Sequence, residues 1–363
     1  RQPVHLRAEH DDLADVLARA TRAVGTRAPV EVLQGILCEV QGNRLRVTGS
    51  DLEMTVHTSL EVETLEEGRA VIPARLAAEA VRKLPPGAVT IRTDEGEVEI
   101  TGNGPSFRLR QLAVDDFPRL VAEDAETGGI QVDGDEVVRA IGQVSVAASH
   151  DDARPILTGV LFEPNEGALR LVATDSYRLA VRDLPGVEPG GTGLVPVRGL
   201  RELGRTIGAE KVNVNVGDRE ASFSSDRGSL TVRLIEGAFP NYRQLIPDTY
   251  ANRLTVAKSA ILDAIDRASL VAEDHIPVRL EMSDGGVDVS VTRQEVGGTA
   301  ERVEGEYTGE KMTIAFNPRY LSDGVSAIED DEVVFEVLDG LKPGILRGAS
   351  SPDFLYLLMP VRL

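Results

Sequence analysis

The alternation of apolar and polar residues along the chain predicts one strand-then-helix pattern three times over. Short apolar strands are expected at residues 4–7, 130–132 and 254–256, each followed by apolar residues at helical spacing, over 12–24, 135–148 and 258–271. In the first of these helices the apolar face is formed by Leu13, Val16, Leu17, Ala20 and Val24. Such internal repetition predicts three copies of one structural unit.

A second pattern shared by the copies is a strand, a proline-containing turn and another helix, at residues 70–84, 194–207 and 313–328. Alternating runs such as 89–92, 98–100, 212–216 and 333–337 predict antiparallel strands with one buried face. Each copy is expected to be an α+β domain with two helices on one side of two antiparallel sheets. We expect domains at residues 1–124, 125–249 and 250–363, with linkers near 121–128 and 247–252.

Cysteine content and the length of the apolar stretches indicate the cellular compartment of the protein. The single cysteine, Cys38, lies in an apolar run typical of a buried strand, so neither an intrachain disulfide nor a multi-thiolate metal site is expected. No apolar stretch approaches the roughly 18 to 20 residues that cross a bilayer, and the first residues lack a signal-peptide core. These features predict a cytoplasmic protein that does not bind a membrane.

Net charge argues at first against a nucleic-acid partner, because it is −20, with 59 acidic residues against 39 Lys and Arg. The acidic surplus falls largely in strands, loops and linkers, as at 61–67, 123–126, 301–310 and 329–332. Screening over about 8 to 10 Å would let DNA beside the helices interact mainly with their basic residues. Three units in an arc would place the helices on the concave side; ordinary solvated helix faces are the alternative. The solvent-facing candidates are Arg19, Arg22, Arg75, Arg82, Lys83, Arg139, Arg198, Arg201, Arg205, Lys211, Lys258, Arg267 and Arg319.

Two motifs are more specific than the charge pattern. They are Ala173-Thr174-Asp175-Ser176-Tyr177-Arg178-Leu179-Ala180 and Tyr356-Leu357-Leu358-Met359-Pro360-Val361-Arg362-Leu363. With them the chain resembles the bacterial DNA polymerase III beta subunit, the sliding clamp family. Further matching segments at 48–54, 71–75 and 239–243 extend the resemblance over the full length, in order.

The resemblance implies a non-catalytic processivity factor, a head-to-tail homodimer that closes into a six-domain ring around duplex DNA and needs no cofactor or metal. Edge strands of domains one and three would pair, with Phe107 against Leu270 and Val271, and Glu301 and Glu304 would add ion pairs at the rim. Contacts with DNA would be to phosphates and blind to sequence. The DNA-facing residues implied by the resemblance are Arg27, Arg75, His150 and Arg198, and the helix pattern adds Arg82, Lys83, Arg201 and Arg205.

The family's partner site is a groove between domains two and three. It receives short linear peptides of the DNA polymerase III alpha subunit, the clamp loader, other polymerases and repair proteins. We expect Leu157, Leu179, Leu245 and Met359 to wall an apolar pocket there, with polar contacts from other residues at its mouth. By resemblance the groove residues are Arg154, Leu157, Thr174, Ser176, Tyr177, Arg178, Leu179, Pro240, Leu245, Asn317, Tyr320, Pro343, Met359, Pro360, Val361 and Arg362.

Departures from the family pattern leave alternatives open. Ser176-Tyr177 stands where many members have Gly-His, and Pro155-Ile156 where an aromatic pair is often found, so the peptide preference is undetermined. A specialised clamp copy, which resists a clamp-binding inhibitor or serves another polymerase, is one alternative. The other alternative is an enzyme, with a catalytic site at residues 150–152 or a metal site at the acids of 329–332. We do not expect catalysis, because the sequence has no Walker loop, nucleophile elbow or His-Glu-x-x-His motif.

Overall fold

The computed structural model describes residues 3–120, 129–208, 210–273 and 275–363. The linker predicted at 121–128, and with it the first domain boundary, lies outside these residues. The chain divides into two compact units, unit 1 (Arg1–Val138 and Pro189–Leu234) and unit 2 (Arg139–Glu188 and Ile235–Leu363). The middle repeat therefore contributes to both units, which the sequence pattern did not predict.

The helices of the first two repeats include two that are only one turn long. None of the described helices is long and apolar enough to cross a membrane. The helices are α1 (His10–Thr21), α2 (Ala74–Lys83), α3 (Gly134–Ser145), α4 (Val197–Leu200), α5 (Leu203–Thr206), α6 (Lys258–Ala272) and α7 (Pro318–Ala327).

The strands follow the repeats along the chain. In the first repeat they are β1 (His5–Glu9), β2 (Gly35–Gln41), β3 (Arg44–Ser50), β4 (Met54–Glu61), β5 (Glu63–Glu66), β6 (Gly68–Pro73), β7 (Ala88–Asp94), β8 (Glu97–Thr101) and β9 (Ser106–Arg110). In the second they are β10 (Ile130–Asp133), β11 (Gly159–Asn165), β12 (Ala168–Thr174), β13 (Arg178–Pro185), β14 (Gly193–Pro196), β15 (Lys211–Val216), β16 (Glu220–Ser225) and β17 (Gly228–Arg233). In the third they are β18 (Asn252–Ala257), β19 (Val278–Ser283), β20 (Gly286–Arg293), β21 (Gly297–Thr308), β22 (Met312–Phe316), β23 (Glu332–Val337), β24 (Gly344–Gly348) and β25 (Phe354–Leu358).

Unit 1 contains two antiparallel sheets, with strand orders β5-β1-β7-β8-β9 and β10-β15-β16-β17-β4-β3-β2-β6. The second sheet is continuous across two repeats because β17 pairs with β4, where Leu230 lies opposite Val56. Helices α1 and α2 pack on each other. Their apolar faces meet the sheets in one core of aliphatic side chains that includes the fully buried Leu13, Leu17 and Leu45.

Unit 2 is built in the same way around a run of strands in the order β11-β12-β13-β25-β24-β23-β18-β21-β20-β19-β22. Here β13 pairs with β25, and Ala180 lies opposite Tyr356, so a sheet again joins two successive repeats. Helices α6 and α7 pack on each other. The predicted α+β class with antiparallel sheets is confirmed.

The second helix of the middle repeat differs from the prediction of one helix to residue 207. It is broken into α4 and α5, with Arg201 and Glu202 between them. At the break the Glu202 N–H donates to the Gly199 carbonyl at 3.1 Å, three residues back rather than four. Glycines at 199 and 204 lower the helix propensity of this short segment, which favours the break.

Candidate functional site

The turn between β12 and β13 carries most of the specific motif and is fixed by its own side chains. The carboxylate of Asp175 accepts the Tyr177 and Arg178 N–H groups at 3.0 and 3.1 Å through one oxygen. Thr174 Oγ1 accepts the Ser176 N–H at 3.2 Å and donates to the Arg178 carbonyl at 2.7 Å. Ser176 consequently has a φ of +80°, a left-handed conformation that glycine adopts without strain.

An aromatic stack lies beside this turn in unit 2. The rings of Tyr177 and Tyr320 have centroids 6.1 Å apart at 29°, and the Arg178 guanidinium lies 4.3 Å from the Tyr320 centroid. Arg178 is buried, and its charge is balanced by Asp175 at 3.0 Å and Asp323 at 2.6 Å. Because a buried guanidinium is retained only when it is paired, these contacts hold the stack in place.

The segment after β25 runs beside the stack. The Met359 N–H donates to the Tyr177 carbonyl at 3.0 Å, and the Val361 N–H donates to the Ala315 carbonyl at 2.8 Å. Asn317 caps α7 by accepting the Tyr320 N–H at 3.1 Å. Arg362 is exposed, and Pro343 and Pro360 are half-buried.

Accessible apolar surface at this place comes partly from residues other than the predicted wall of the pocket. Tyr177 is 59% exposed, Met359 39% and Val361 38%, whereas Leu157 and Leu179 are buried. The two leucines therefore lie under the surface of this structure, and the exposed apolar side chains of the predicted groove are Tyr177, Leu245, Met359 and Val361.

Pro240 and Leu245 belong to a segment anchored on the sheet by Tyr242. The Tyr242 hydroxyl donates to Glu163, and it lies 3.4 Å from Arg170 Nη1, which donates to it. Arg170 in turn forms a two-armed ion pair with Asp183 at 2.8 and 2.9 Å. Burial, with the Glu163 hydrogen bond, raises the pKa of Tyr242 to about 12, so the hydroxyl keeps its proton. This anchor leaves Leu245 47% exposed.

The predicted DNA-facing residues are all exposed, and two of them already have an acidic partner. In unit 1, Arg198 Nη2 lies 3.0 Å from Asp51 and 3.1 Å from Glu53. Arg82 pairs with Glu79 at 2.6 Å. The other candidates of unit 1 are Arg27, Arg75, Lys83, Arg201 and Arg205, none of which has an ion pair within the described part of the chain. His150, in unit 2, is also exposed.

Arg19 was wrongly predicted to face solvent. It is 6% exposed, and its guanidinium donates to Asp15 at 2.9 Å, to the Thr206 carbonyl at 3.2 Å and to the Arg227 carbonyl. The residue lies beside the apolar face of α1, and carbonyl groups of the second repeat cover its guanidinium. These contacts lie far away in sequence, so the spacing within α1 does not reveal them.

The residues predicted at the dimer contact lie at strand edges and on α6. Phe107, 36% exposed, is on β9, the last strand of its sheet. Leu270 is 82% exposed near the end of α6, beside the half-buried Val271. In β21, residues 297–304 pair only with β20 among the described strands, whereas 305–308 pair with β18. Glu304 is exposed, but Glu301 is held in its own chain by Arg267 at 2.7 and 2.8 Å.

Comparison with known families decides the identity. Three descriptions of the DNA polymerase III beta subunit match in order: the N-terminal domain at residues 4–121, the central domain at 131–241 and the C-terminal domain at 243–362. The chain belongs to the DNA polymerase III beta subunit family. The matches account for almost the whole chain, so this beta subunit has the three clamp domains that the repeats predicted.

Individual relatives agree with the family match. The beta sliding clamp of Streptomyces coelicolor is 32% identical over 374 residues, with 99% of each chain covered. The beta sliding clamp homolog GriR of Streptomyces muensis is 30% identical over 379 residues, again with 99% of each covered. The crystal structure of the Pseudomonas aeruginosa sliding clamp bound to griselimycin superposes with a TM-score of 0.93 at 27% identity, over 99% of this chain and all of that one.

These findings confirm the recognition from sequence and its main functional consequence. The protein is a DNA sliding clamp, a processivity factor rather than an enzyme. Among the described residues no group of three or more His, Cys, Asp or Glu side chains is arranged to hold a metal ion. The exact domain boundaries and the roles of the individual site residues stay predictions.

Proposed function

We propose that two copies of this chain assemble head to tail into a six-domain ring around duplex DNA and hold replication enzymes there through short peptides. The observation that carries the proposal is the succession of three beta-subunit domains from residue 4 to residue 362. A head-to-tail contact that closes after two copies leaves no open end and so avoids a filament.

The proposed ring contact joins β9 of one copy to residues 297–304 of β21 of the other. Both segments have backbone N–H and C=O groups free on one side among the described strands, and pairing would satisfy them. Phe107 of one copy would then cover Leu270 and Val271 of the other, which removes an exposed leucine from water. Glu304 is free to add an ion pair at the rim, whereas Glu301 would first have to leave Arg267.

The proposed DNA contacts are ionic and independent of sequence. The exposed cations of unit 1 and His150 would bind phosphate oxygens, and DNA affinity would fall as salt displaces them. Two of these cations are paired with carboxylates, Arg198 with Asp51 and Glu53, and Arg82 with Glu79. Weak phosphate contacts of this kind suit a ring that must slide.

The proposed peptide groove is centred on Tyr177, Met359 and Val361 in unit 2, with Leu245 on the anchored segment. These exposed apolar side chains would take the leucine or phenylalanine of a partner peptide. The partners are the DNA polymerase III alpha subunit, the clamp loader, and other polymerases and repair proteins. Affinities near micromolar, about −8 kcal/mol, would let them exchange. The proposed function implies the bacterial cytoplasm as the location.

A primer-extension assay on a circular single-stranded template tests the proposal. With the clamp loader and the polymerase alpha subunit of the same organism, the chain should lengthen the products made in a single binding event. A variant that lacks residues 359–363 should fail to lengthen them, because the clamp loader and the polymerase would both lose their groove. Products of unchanged length with the intact chain would contradict the proposed function. Failure to bind the polymerase tail peptide alone would favour the specialised clamp copy.

A further inference from the structure

We propose that Arg267 of one copy of the chain donates to the Lys83 carbonyl of the other copy, at the C-terminal end of α2. The inference rests on the proposed function, since it adds a hydrogen bond to the proposed ring contact. A contact of this kind occurs twice within the chain, between the first helix of one repeat and the end of the second helix of the next repeat. The third repeat holds the donor of a further such contact, and the first repeat holds its acceptor.

The first instance joins the first and second repeats within unit 1. Arg19 of α1 donates to the carbonyl of Thr206, the last residue of α5, at 3.2 Å. The last carbonyls of a helix have no partner within the helix and carry a partial negative charge, so a cationic donor there is favourable. The contact excludes water, because Arg19 is only 6% exposed.

The second instance joins the second and third repeats within unit 2. Gln143 of α3 donates from Nε2 to the carbonyl of Ala327, the last residue of α7, at 2.9 Å. Gln143 is buried, and its side-chain oxygen accepts Arg182 Nε at 2.9 Å. A neutral amide thus makes the same contact as the guanidinium of Arg19.

The donors occupy one position of the repeat. Arg19, Gln143 and Arg267 are each the tenth residue of the first helix of their repeat, in α1, α3 and α6. No further repeat follows the third in the chain, so Arg267 has no helix end to cover it. Its side chain is 57% exposed and pairs with Glu301 at 2.7 and 2.8 Å instead.

The acceptors also occupy one position. Lys83 is the last residue of α2, as Thr206 and Ala327 are the last residues of α5 and α7. Within the described part of the chain no group donates to the Lys83 carbonyl.

A head-to-tail contact places the third repeat of one copy before the first repeat of the other, so the free donor meets the free acceptor. Arg267 has to leave Glu301 to make this contact. The exchange costs little, because an exposed ion pair contributes little to stability, and it frees Glu301 for the proposed ion pair at the rim.

Sedimentation velocity with the full chain, over a dilution series, tests the inference. Arg267→Met keeps a long side chain and removes its donors. A hydrogen bond changes an equilibrium constant by about fivefold, and the ring has two of these contacts, so the dimer dissociation constant should rise about thirtyfold. Arg267→Gln should keep it within about threefold of the unmodified chain, because Gln143 makes the same contact with an amide.

The matched control is Arg279→Met, which removes an exposed arginine from β19, a strand outside the proposed ring contact. It should leave the dissociation constant unchanged. A rise for Arg267→Met no larger than that of the control, or equal rises for Arg267→Met and Arg267→Gln, would overturn the inference while the dimer, and with it the proposed function, still stood. An unmodified chain that stays monomeric at every concentration would overturn both.

Discussion

Replacing Leu270 by alanine should weaken the ring far more than its position on the surface of one chain suggests. The side chain is 82% exposed in the single chain, and the proposed contact buries it against Phe107. At about 0.8 kcal/mol for each buried carbon, the three carbons lost are worth about 2 kcal/mol per contact. A head-to-tail dimer closes through two such contacts, so the ring loses about 4 kcal/mol.

That loss corresponds to a rise of about a thousandfold in the dimer dissociation constant, since 1.4 kcal/mol is a factor of ten. Mass photometry or sedimentation velocity over a dilution series measures it directly. The fold should be unaffected, because changes at exposed positions rarely alter stability by more than about 0.5 kcal/mol. Replacing Phe107 and Leu270 by aspartate should yield folded monomers even at high concentration, because it would bury unpaired charges.

The control is Leu341→Ala, which shortens a leucine that is 74% exposed and lies outside the proposed contact. It should leave the dissociation constant unchanged. A shift for Leu270→Ala no larger than that of the control would refute the assignment of α6 to the dimer contact.

Three further predictions concern stability and the groove. Burial lowers the pKa of His57 from 6.5 to about 4, so the folded chain favours the neutral ring and loses stability as pH falls from about 6.5 towards 4. Urea unfolding should show that the free energy of unfolding is about 2 kcal/mol lower at pH 5 than at pH 7, and that His57→Gln lacks this loss. The same dependence of unfolding free energy on pH in both proteins would contradict this. Arg178→Met should cost about 3 to 5 kcal/mol because it removes the cation that pairs with Asp175 and Asp323. The exposed Arg82→Met should hardly matter, and similar unfolding midpoints for the two variants would disprove the role of Arg178. Deletion of residues 359–363 should abolish peptide binding and keep the dimer, and retained binding would refute the groove assignment.

Much of the fold follows from patterns in the sequence, because the spacing of apolar residues within each repeat shows which faces of its helices and strands are buried. The spacing of Leu13, Val16 and Leu17 predicts α1, and the position of Asp175 before two successive N–H groups produces the turn that holds Ser176. The pairing of strands from different repeats does not follow from such patterns. The pairing of β17 with β4 and of β13 with β25 uses backbone hydrogen bonds, which any two extended segments can make, so the side chains do not mark these partners.

Several features of the site also depend on contacts between residues that are far apart in sequence. The resemblance implied that Leu157 and Leu179 line the groove, and how much of their surface a peptide could reach depends on side chains far away in sequence. The stack of Tyr177 on Tyr320 joins residues that no local pattern links. The basic residues of the helices were visible in the sequence, but some of the carboxylates that pair with them come from other repeats, as Asp51 does for Arg198.

Retention on DNA after loading tests the ring most directly. The labelled chain is loaded onto nicked circular DNA, half of the sample is linearised with a restriction enzyme, and bound protein is separated from free protein by gel filtration. The account predicts that the chain stays on the circle and slides off the linear molecule. Equal loss from both, with loading shown to have occurred, would mean that the helices do not line a closed hole and would contradict encirclement.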